Sequence, residues 1–365
     1  MKINEITNYL ESLAPIYLQE DYDNSGLITG NKYWKVSNIL VCLDCTEKVV
    51  EEAIAKSCNL IVTHHPIVFS GLKSIVGKNY VEQTIIKAIK NDIAIYAIHT
   101  NLDNIKDGVN AVIAKKIGLE KTKILRPKKD FIKKLSFYCP VSDARRLKDL
   151  LWEAGAGNIG NYSHCSFSST GQGTFMGNNE SKPYLGQKNV LNSEKEEKIE
   201  MLLPSYLQNK ILNTLFSNHP FEEVAYEIHL LENLNQDIGS GMFGKLKTPM
   251  KSNDFLKYLK KVMQTDCIRY TNLNKKHIET VAVCGGSGSF LLDDAKRMKA
   301  DIFITADFKY HEFFNAENDI IIADIGHYES EQFTKALLRE ILNEKFTKFA
   351  THLSSINTNP INYMK

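Results

Sequence analysis

The sequence predicts an α/β fold: a core domain of two related α/β halves, with mixed sheets covered by helices, interrupted by a ferredoxin-like α+β insert. Three observations carry this. Short, uniformly apolar runs alternate with helix-spaced segments in the first third of the chain and again in the last. Strands this apolar on both faces belong to parallel or mixed sheets covered by helices. Between these regions the pattern changes to β-α-β-β-α-β, the order of a ferredoxin-like module. The expected boundaries are residues 1–127 and 237–365 for the two halves of the core and 128–236 for the insert. A chain of 365 residues also exceeds what one core comfortably organises.

The elements follow in order. "INEITNYLESLA" is an amphipathic helix closed by Pro15, and "NILVCLD" is a short buried strand. Thr46 then stands where a helix N-cap is expected, ahead of "TEKVVEEAIAKS". "NLIVTHH", "VEQTIIKAIKN", "IAIYAIHT" and "GVNAVIAKKIG" continue the alternation. A cationic connector, "RPKKDFIKK", leads into the insert's "KLSFYCP", "DARRLKDLLWEAGAG" and "NYSHCSFSS". A Gly/Asn/Ser-rich stretch of loops is expected up to about Glu194, before "EKIEMLLP", "SYLQNKILNTLFSNHP" and "EEVAYEIHLLE". The first style resumes with "DFLKYLKKVM", "ETVAVCGGSGS", "FLLDDAKRMKA", "DIFITADF", "DIIIADIG" and "SEQFTKALLREILNEKF".

Composition excludes some classes of function. A net charge of +2 over this length leaves no electrostatic footprint for nucleic acid or an anionic membrane, so neither is an expected partner. No apolar run approaches the roughly 18 residues a spanning helix needs. Seven cysteines, mostly inside apolar runs, together with an N-terminus lacking a signal-peptide pattern, read as reduced thiols in a cytoplasmic protein. Cys42 and Cys45 form a C-x-x-C, but one pair in an apolar setting reads as core cysteines rather than a zinc site. No Gly-x-Ser-x-Gly elbow or activated cysteine indicates covalent catalysis.

Open α/β sheets bind ligands at the carboxyl ends of their strands. Three strand ends here carry metal-type ligands: His64 and His65 after "NLIVT", His99 and Asp103 after "IAIYA", and His327 with Glu331 in "IIADIGHYESE". A helix starting near Tyr328 would put His327 and Glu331 on one side of its first turn. Neighbours on a regular strand face opposite ways, yet Pro66 ends the strand and lets both imidazoles converge, one for each of two metals. Asp103 is the natural carboxylate to bridge them. Taken alone, a strand-end histidine is as well explained as a hydrogen-bonded buried group. Three clusters at successive strand ends favour metal. His99 and His311 are candidates for acid/base catalysis or for orienting a ligand, and each is equally readable as a structural histidine. Gly285, Gly286, Ser287 and Gly288 form a strand–loop–helix turn that either binds an anion through its amides or simply turns tightly. It matches no nucleotide-binding fingerprint.

At these positions the chain resembles a known family, the dinuclear-metal hexameric proteins built around the NGG-interacting factor and often labelled GTP cyclohydrolase I type 2 homologues. The matching stretches are "YDNSGLITG", "LDCT", "VTHHPIVFSG", "AIHTNLDN", "NHPFEEVAYEIHLLEN", "CGGSGS", "FKYHE", "IGHYESE" and "INTNP", in family order along nearly the whole chain. The resemblance implies two divalent ions per subunit (zinc, manganese or iron) held by His64, His65, Asp103, His327 and Glu331. It further implies a toroidal homohexamer and an insert like the PII or CutA fold. Tyr22, Ser25 and Ala306 depart from the usual pattern, and none is an expected ligand. The expected activity is that of a metal-dependent hydrolase acting on a small molecule or nucleotide, as in opening the guanine ring of GTP. The alternative is a non-enzymatic, metal-loaded regulatory or binding scaffold.

Overall fold

The computed structural model describes residues 1–364. The chain forms two compact units, one made of residues 1–126 with the segment from Ile238 onward, the other of residues 127–237.

The first unit contains two mixed sheets. The five-stranded sheet has the order Gly26–Thr29, Ala94–Ala97, Leu60–His65, Ile39–Asp44, Thr351–Leu353. All neighbours run parallel except the antiparallel edge strand Gly26–Thr29. The six-stranded sheet has the order Arg269–Tyr270, Ile321–Asp324, Ile302–Ala306, His277–Ser287, Asn235–Lys251, Leu119–Lys128. Its strands Ile321–Asp324, Ile302–Ala306 and His277–Ser287 form a parallel trio.

Residue alternation explains why these strands are apolar throughout. On the first sheet Val41 and Val62 face one core, while Leu40, Cys42 and Ile61 face another. The Val41 face shares its core with Val281, Ile302 and Ile304 of the second sheet and with the helices Val109–Ile117, Ser252–Val262 and Thr334–Lys345. The Leu40 face is covered by the helices Glu47–Ala55 and Tyr80–Lys90 through Val49, Ala53, Ile85 and Ala88. On the second sheet Ala282, Phe303 and Ile322 pack against Leu292 and Ala295 of the helix Leu292–Arg297. With both faces buried, central strands such as Ile39–Asp44, Leu60–His65, Ala94–Ala97 and Ile302–Ala306 have no wet side on which to place polar residues.

Local details depart from expectation in one place here. Thr46 occupies the N-cap position of Glu47–Ala55 but its side chain makes no capping hydrogen bond. By contrast, Asn79 caps Tyr80–Lys90 by accepting from the Glu82 amide at 2.9 Å.

The second unit is a four-stranded antiparallel sheet in the order Phe167–Phe175, Asn192–Pro204, Ile132–Pro140, Tyr226–Leu230. Its helices, Ala144–Ala154 and Gln208–Asn218, bury Leu147, Leu151, Ile211 and Leu215 against Leu135, Phe137 and Ile199. The chain order is β-α-β-β-α-β. Two boundaries differ from the sequence reading. The strand expected in "NYSHCSFSS" begins only at Phe167, and the stretch read as loops up to Glu194 includes paired strand from Phe167 to Phe175 and from Asn192. Those residues form a largely exposed arm, so the apolar alternation that marks a half-buried strand is missing there.

Candidate metal centre

Both sheets in the first unit deliver their parallel strand ends to one place. His64 and His65 end Leu60–His65, and Asp44 ends the neighbouring strand in register with His65. His99 follows Ala94–Ala97 and leads into the short helical turn Thr100–Asp103. From the second sheet come Asp307 after Ile302–Ala306 and the short helix His327–Glu331 after Ile321–Asp324. The His327 ring and the Glu331 carboxylate do lie on one side of that helix, with Nε2 and Oε2 3.1 Å apart.

Each imidazole is held by its Nδ1. His64 Nδ1 lies 2.8 Å from the Ile98 carbonyl, His65 Nδ1 2.7 Å from Asp44 Oδ1, His327 Nδ1 2.6 Å from Asp307 Oδ2 and His99 Nδ1 2.7 Å from Asp23 Oδ1. A carbonyl only accepts, so His64 Nδ1 carries the proton and its Nε2 presents a lone pair. Orienting partners of this kind fix the tautomer and aim of metal-binding histidines.

The inward atoms sort into groups. His65 Nε2 and His327 Nε2 both approach Glu331 Oε2, at 2.9 and 3.1 Å. His64 Nε2 faces Asp103 Oδ1 at 3.6 Å and Glu331 Oε1 at 4.0 Å, too far for hydrogen bonds. The sets His65–His327–Glu331 and His64–Asp103–Glu331 each keep their ligand atoms within 4.8 Å of one another. Glu331 belongs to both of these groups, while Asp103, the carboxylate the sequence suggested as a bridge, belongs to one. The reach of Glu331 follows from its place on the short helix, where one oxygen faces each set.

Electrostatics follows the geometry. Burial drives His64 down to a pKa of about 3, so it is neutral. Burial would also depress His65, but hydrogen bonds to Asp44 and Glu331 outweigh it and hold the ring at about 10. His327 rises to about 11 against its own burial, through the charge of Glu331 and the bond to Asp307. Burial and the Glu331 charge push Asp103 well above the usual carboxylate range. Glu331 goes well below it despite burial, because two imidazolium rings surround it.

The donor set fits a metal. His64 Nε2 and Asp103 Oδ1 are buried with no hydrogen-bond partner, although a buried polar atom left unpaired costs about 1–3 kcal/mol. Two bonds of about 2.0–2.2 Å to one divalent ion would span the gap between them. Three imidazole nitrogens and two carboxylates form a mixed N/O set suited to transition metals.

The structure treats the remaining sequence candidates differently. His99 joins the cluster, its ring 5.2 and 5.3 Å from those of His64 and His65. His311 does not: it is exposed on the 3₁₀ segment Tyr310–Ala316, against Tyr310 and Phe314. In the loop of Gly285, Gly286, Ser287 and Gly288, two of the amides have partners within the chain. Gly285 N–H donates to Asn110 Oδ1 at 3.0 Å and Gly286 N–H to Ser330 Oγ at 2.9 Å, so these amides are already engaged and unavailable to an anion. Gly286 has φ +61, and a Cβ there would collide with Glu331 Oε1. The sequence reading missed the carboxylates Asp23 and Asp44 as orienting groups. For Asp44 a signal existed: it ends the strand next to His65.

Comparison with known proteins shows the family. The sequence profile of the Duf34/NIF3 (NGG1p interacting factor 3) family matches residues 1–360. The chain belongs to this family. A relative in Staphylococcus epidermidis, named GTP cyclohydrolase 1 type 2 homolog, is 34% identical over 100% of both chains. One of the same name in Bacillus subtilis is 33% identical over 99% of this chain and 98% of its own. Among solved structures, a Bacillus cereus protein related to NIF3 superposes with a TM-score of 0.86 at 36% identity, covering 100% of this chain and 99% of the other. Staphylococcus aureus protein SA1388 gives 0.80 at 30% identity, covering 100% and 99%. These matches span the whole chain rather than the core alone. Among the described residues no helix is long and apolar enough to cross a membrane.

Proposed function

We propose that this NIF3 family protein is a metal-dependent hydrolase holding two divalent ions, one by His64, Asp103 and Glu331, the other by His65, His327 and Glu331. The observation that carries the reading is the buried, partnerless pair His64 Nε2 and Asp103 Oδ1, facing each other at 3.6 Å. When bound, two such ions lower the pKa of a shared water and polarise an electrophile. Zinc, manganese and iron all suit the donor set.

The chain's own residues supply the rest. Asp44 and Asp307 aim His65 and His327 through their Nδ1 atoms. His99, aimed in the same way by Asp23, is the group placed to take or give a proton at Nε2. Asp23 is itself fixed by the Thr100 amide at 3.0 Å and by the Thr100 hydroxyl. His99 therefore has one stable orientation. Hydrolytic release of formate from a guanine ring, the reaction the relatives' name points to, takes two waters in turn: each adds to the same ring carbon and breaks one of its two C–N bonds, with a proton delivered to each departing nitrogen. A homohexameric, cytoplasmic protein is part of the same proposal, supported by the family membership and by seven free cysteines. A metal-loaded scaffold is the second reading, favoured by the separate compact unit of residues 127–237.

The test is formate release from guanosine and from GTP by protein loaded with zinc, manganese or iron, with metal content measured alongside. Metal-dependent release that disappears in Asp103→Asn is the expected result. Full metal loading without release from either compound refutes the hydrolase and leaves the scaffold.

A further inference from the structure

We propose that the cavity beside the histidine cluster takes a planar heteroaromatic ring without a polyphosphate tail, stacked on Phe69 and Tyr22. This builds on the hydrolase reading only in placing the reacting atom at the cluster.

The cavity measures about 480 Å³, within the range of small-molecule sites. Its outer wall is apolar, including Tyr22, Leu43, Phe69, Phe290, Pro360 and Ile361. Tyr22 and Phe69 lie nearly parallel, with planes 15° apart and centroids 6.3 Å apart. They are 64% and 47% exposed, so aromatic surface is left uncovered at the cavity. Phe69 meets the His99 ring edge-on at 5.7 Å, and His99 in turn touches His64 and His65. A ring stacked on Phe69 therefore lies next to the cluster, and base–aromatic stacking tolerates any planar ring.

Charge argues against a polyphosphate. Among the described residues lining the cavity none is lysine or arginine. Glu20, Asp44, Asp103 and Glu331 line it, with Asp23 and Asp307 directly behind His99 and His327. These six carboxylates outnumber the four positive charges of two divalent ions. The guanidinium beside this wall, Arg126, sits 5.3 Å over the Phe290 ring and is already paired with Asp294. Phosphate sites rely on Arg or Lys forks or on free amides at a turn. Here the Gly285 and Gly286 amides are engaged by Asn110 and Ser330.

The experiment is equilibrium dialysis of guanosine, GMP and GTP against metal-loaded full-length protein, in wild type, Tyr22→Ala and Phe69→Ala. Both variants change exposed side chains, and their melting temperatures check folding. The expected result is guanosine binding at least tenfold tighter than GTP, GMP between them, and guanosine affinity about tenfold weaker in Phe69→Ala. GTP binding as tightly as guanosine, guanosine affinity unchanged in both variants, or no binding of any of the three overturns the proposal. Turnover is not read here, so the two proposals fail separately. Guanosine binding without formate release sinks the hydrolase and keeps the ring site. Formate release from GTP with affinity rising with each phosphate does the reverse.

Discussion

Replacing Gly286 by alanine tests whether the Glu331 carboxylate is the shared element of the centre. Gly286 sits at φ +61, where a non-glycine residue costs about 1–2 kcal/mol of backbone strain. Its added Cβ would fall within 3.0 Å of Glu331 Oε1 and 3.2 Å from His327 Cε1. An ordinary contact is about 3.5 Å, so the carboxylate must retreat by about half an ångström or more. Binding constellations need their groups within about 0.5 Å. Both Glu331 oxygens face ligand groups, so the displacement disturbs the two sets together. The expected loss is at least about tenfold in metal affinity, comparable with loss of an orienting partner. The strain itself lowers Tm by roughly 2–4 °C per kcal/mol. Competition dialysis against a chelator, followed by metal analysis, reads the affinity. Gly71→Ala is the control, because its Cβ would meet nothing within 4 Å. If Gly286→Ala keeps both ions at wild-type affinity, Glu331 is not the shared ligand and the two-set assignment fails.

Three further outcomes follow from the same geometry. Loading metal should release about two protons near neutral pH, because His65 at about 10 and His327 at about 11 must both give theirs up; apparent affinity then falls as pH falls, and calorimetry in buffers of different ionisation enthalpy showing no release would refute the protonation pattern. Asp23→Asn can turn its amide N–H toward His99 Nδ1 and so move the ring proton to Nε2; turnover should drop about 10–100-fold with a changed pH profile while metal content stays at wild type, and an unchanged profile would remove His99 from proton transfer. Glu52 accepts from the Ser355 amide at 2.9 Å and from Lys56 Nζ at 2.7 Å, which hold its pKa at about 2 against the upward pull of burial. A depressed folded-state pKa stabilises above the unfolded value of 4.5 and is lost as pH falls toward 2. The Tm gap between wild type and Glu52→Gln should therefore be full at neutral pH and shrink over that window, and a gap independent of pH would refute the tie.

Much of the candidate centre was legible because imidazoles and carboxylates are among the few side chains that bind metals, and this fold type puts its ligands at strand ends. "VTHHP" and "HYESE" carry that signature in adjacent residues, so His64, His65, His327 and Glu331 could be read without coordinates. The loop Gly285–Gly288 was ambiguous for a physical reason. A glycine that frees an amide for an anion and a glycine that makes room for a neighbouring carboxylate look identical in sequence. Only the positions of Ser330, Asn110 and Glu331 separate the two. His311, read as an acid/base or orienting candidate, lies apart from the cluster because the 3₁₀ segment Tyr310–Ala316 carries its ring against Tyr310 and Phe314, which the motif "FKYHE" does not disclose.

The sequence by itself determined the alternation of buried strands and helices, the change of pattern at the insert and the kinds of atoms available for a metal. Those are local properties, set by periodicity and side-chain chemistry. Tertiary structure alone decided that the Glu331 carboxylate reaches both candidate groups, His65–His327–Glu331 and His64–Asp103–Glu331. It also decided that Asp23 and Asp307 aim the rings of His99 and His327 across gaps of 76 and 20 residues, whereas the end of its strand already hinted at Asp44 beside His65. A hydrogen bond depends on where two atoms lie in space, and residues so far apart in sequence meet only once the strands that carry them have paired within a sheet.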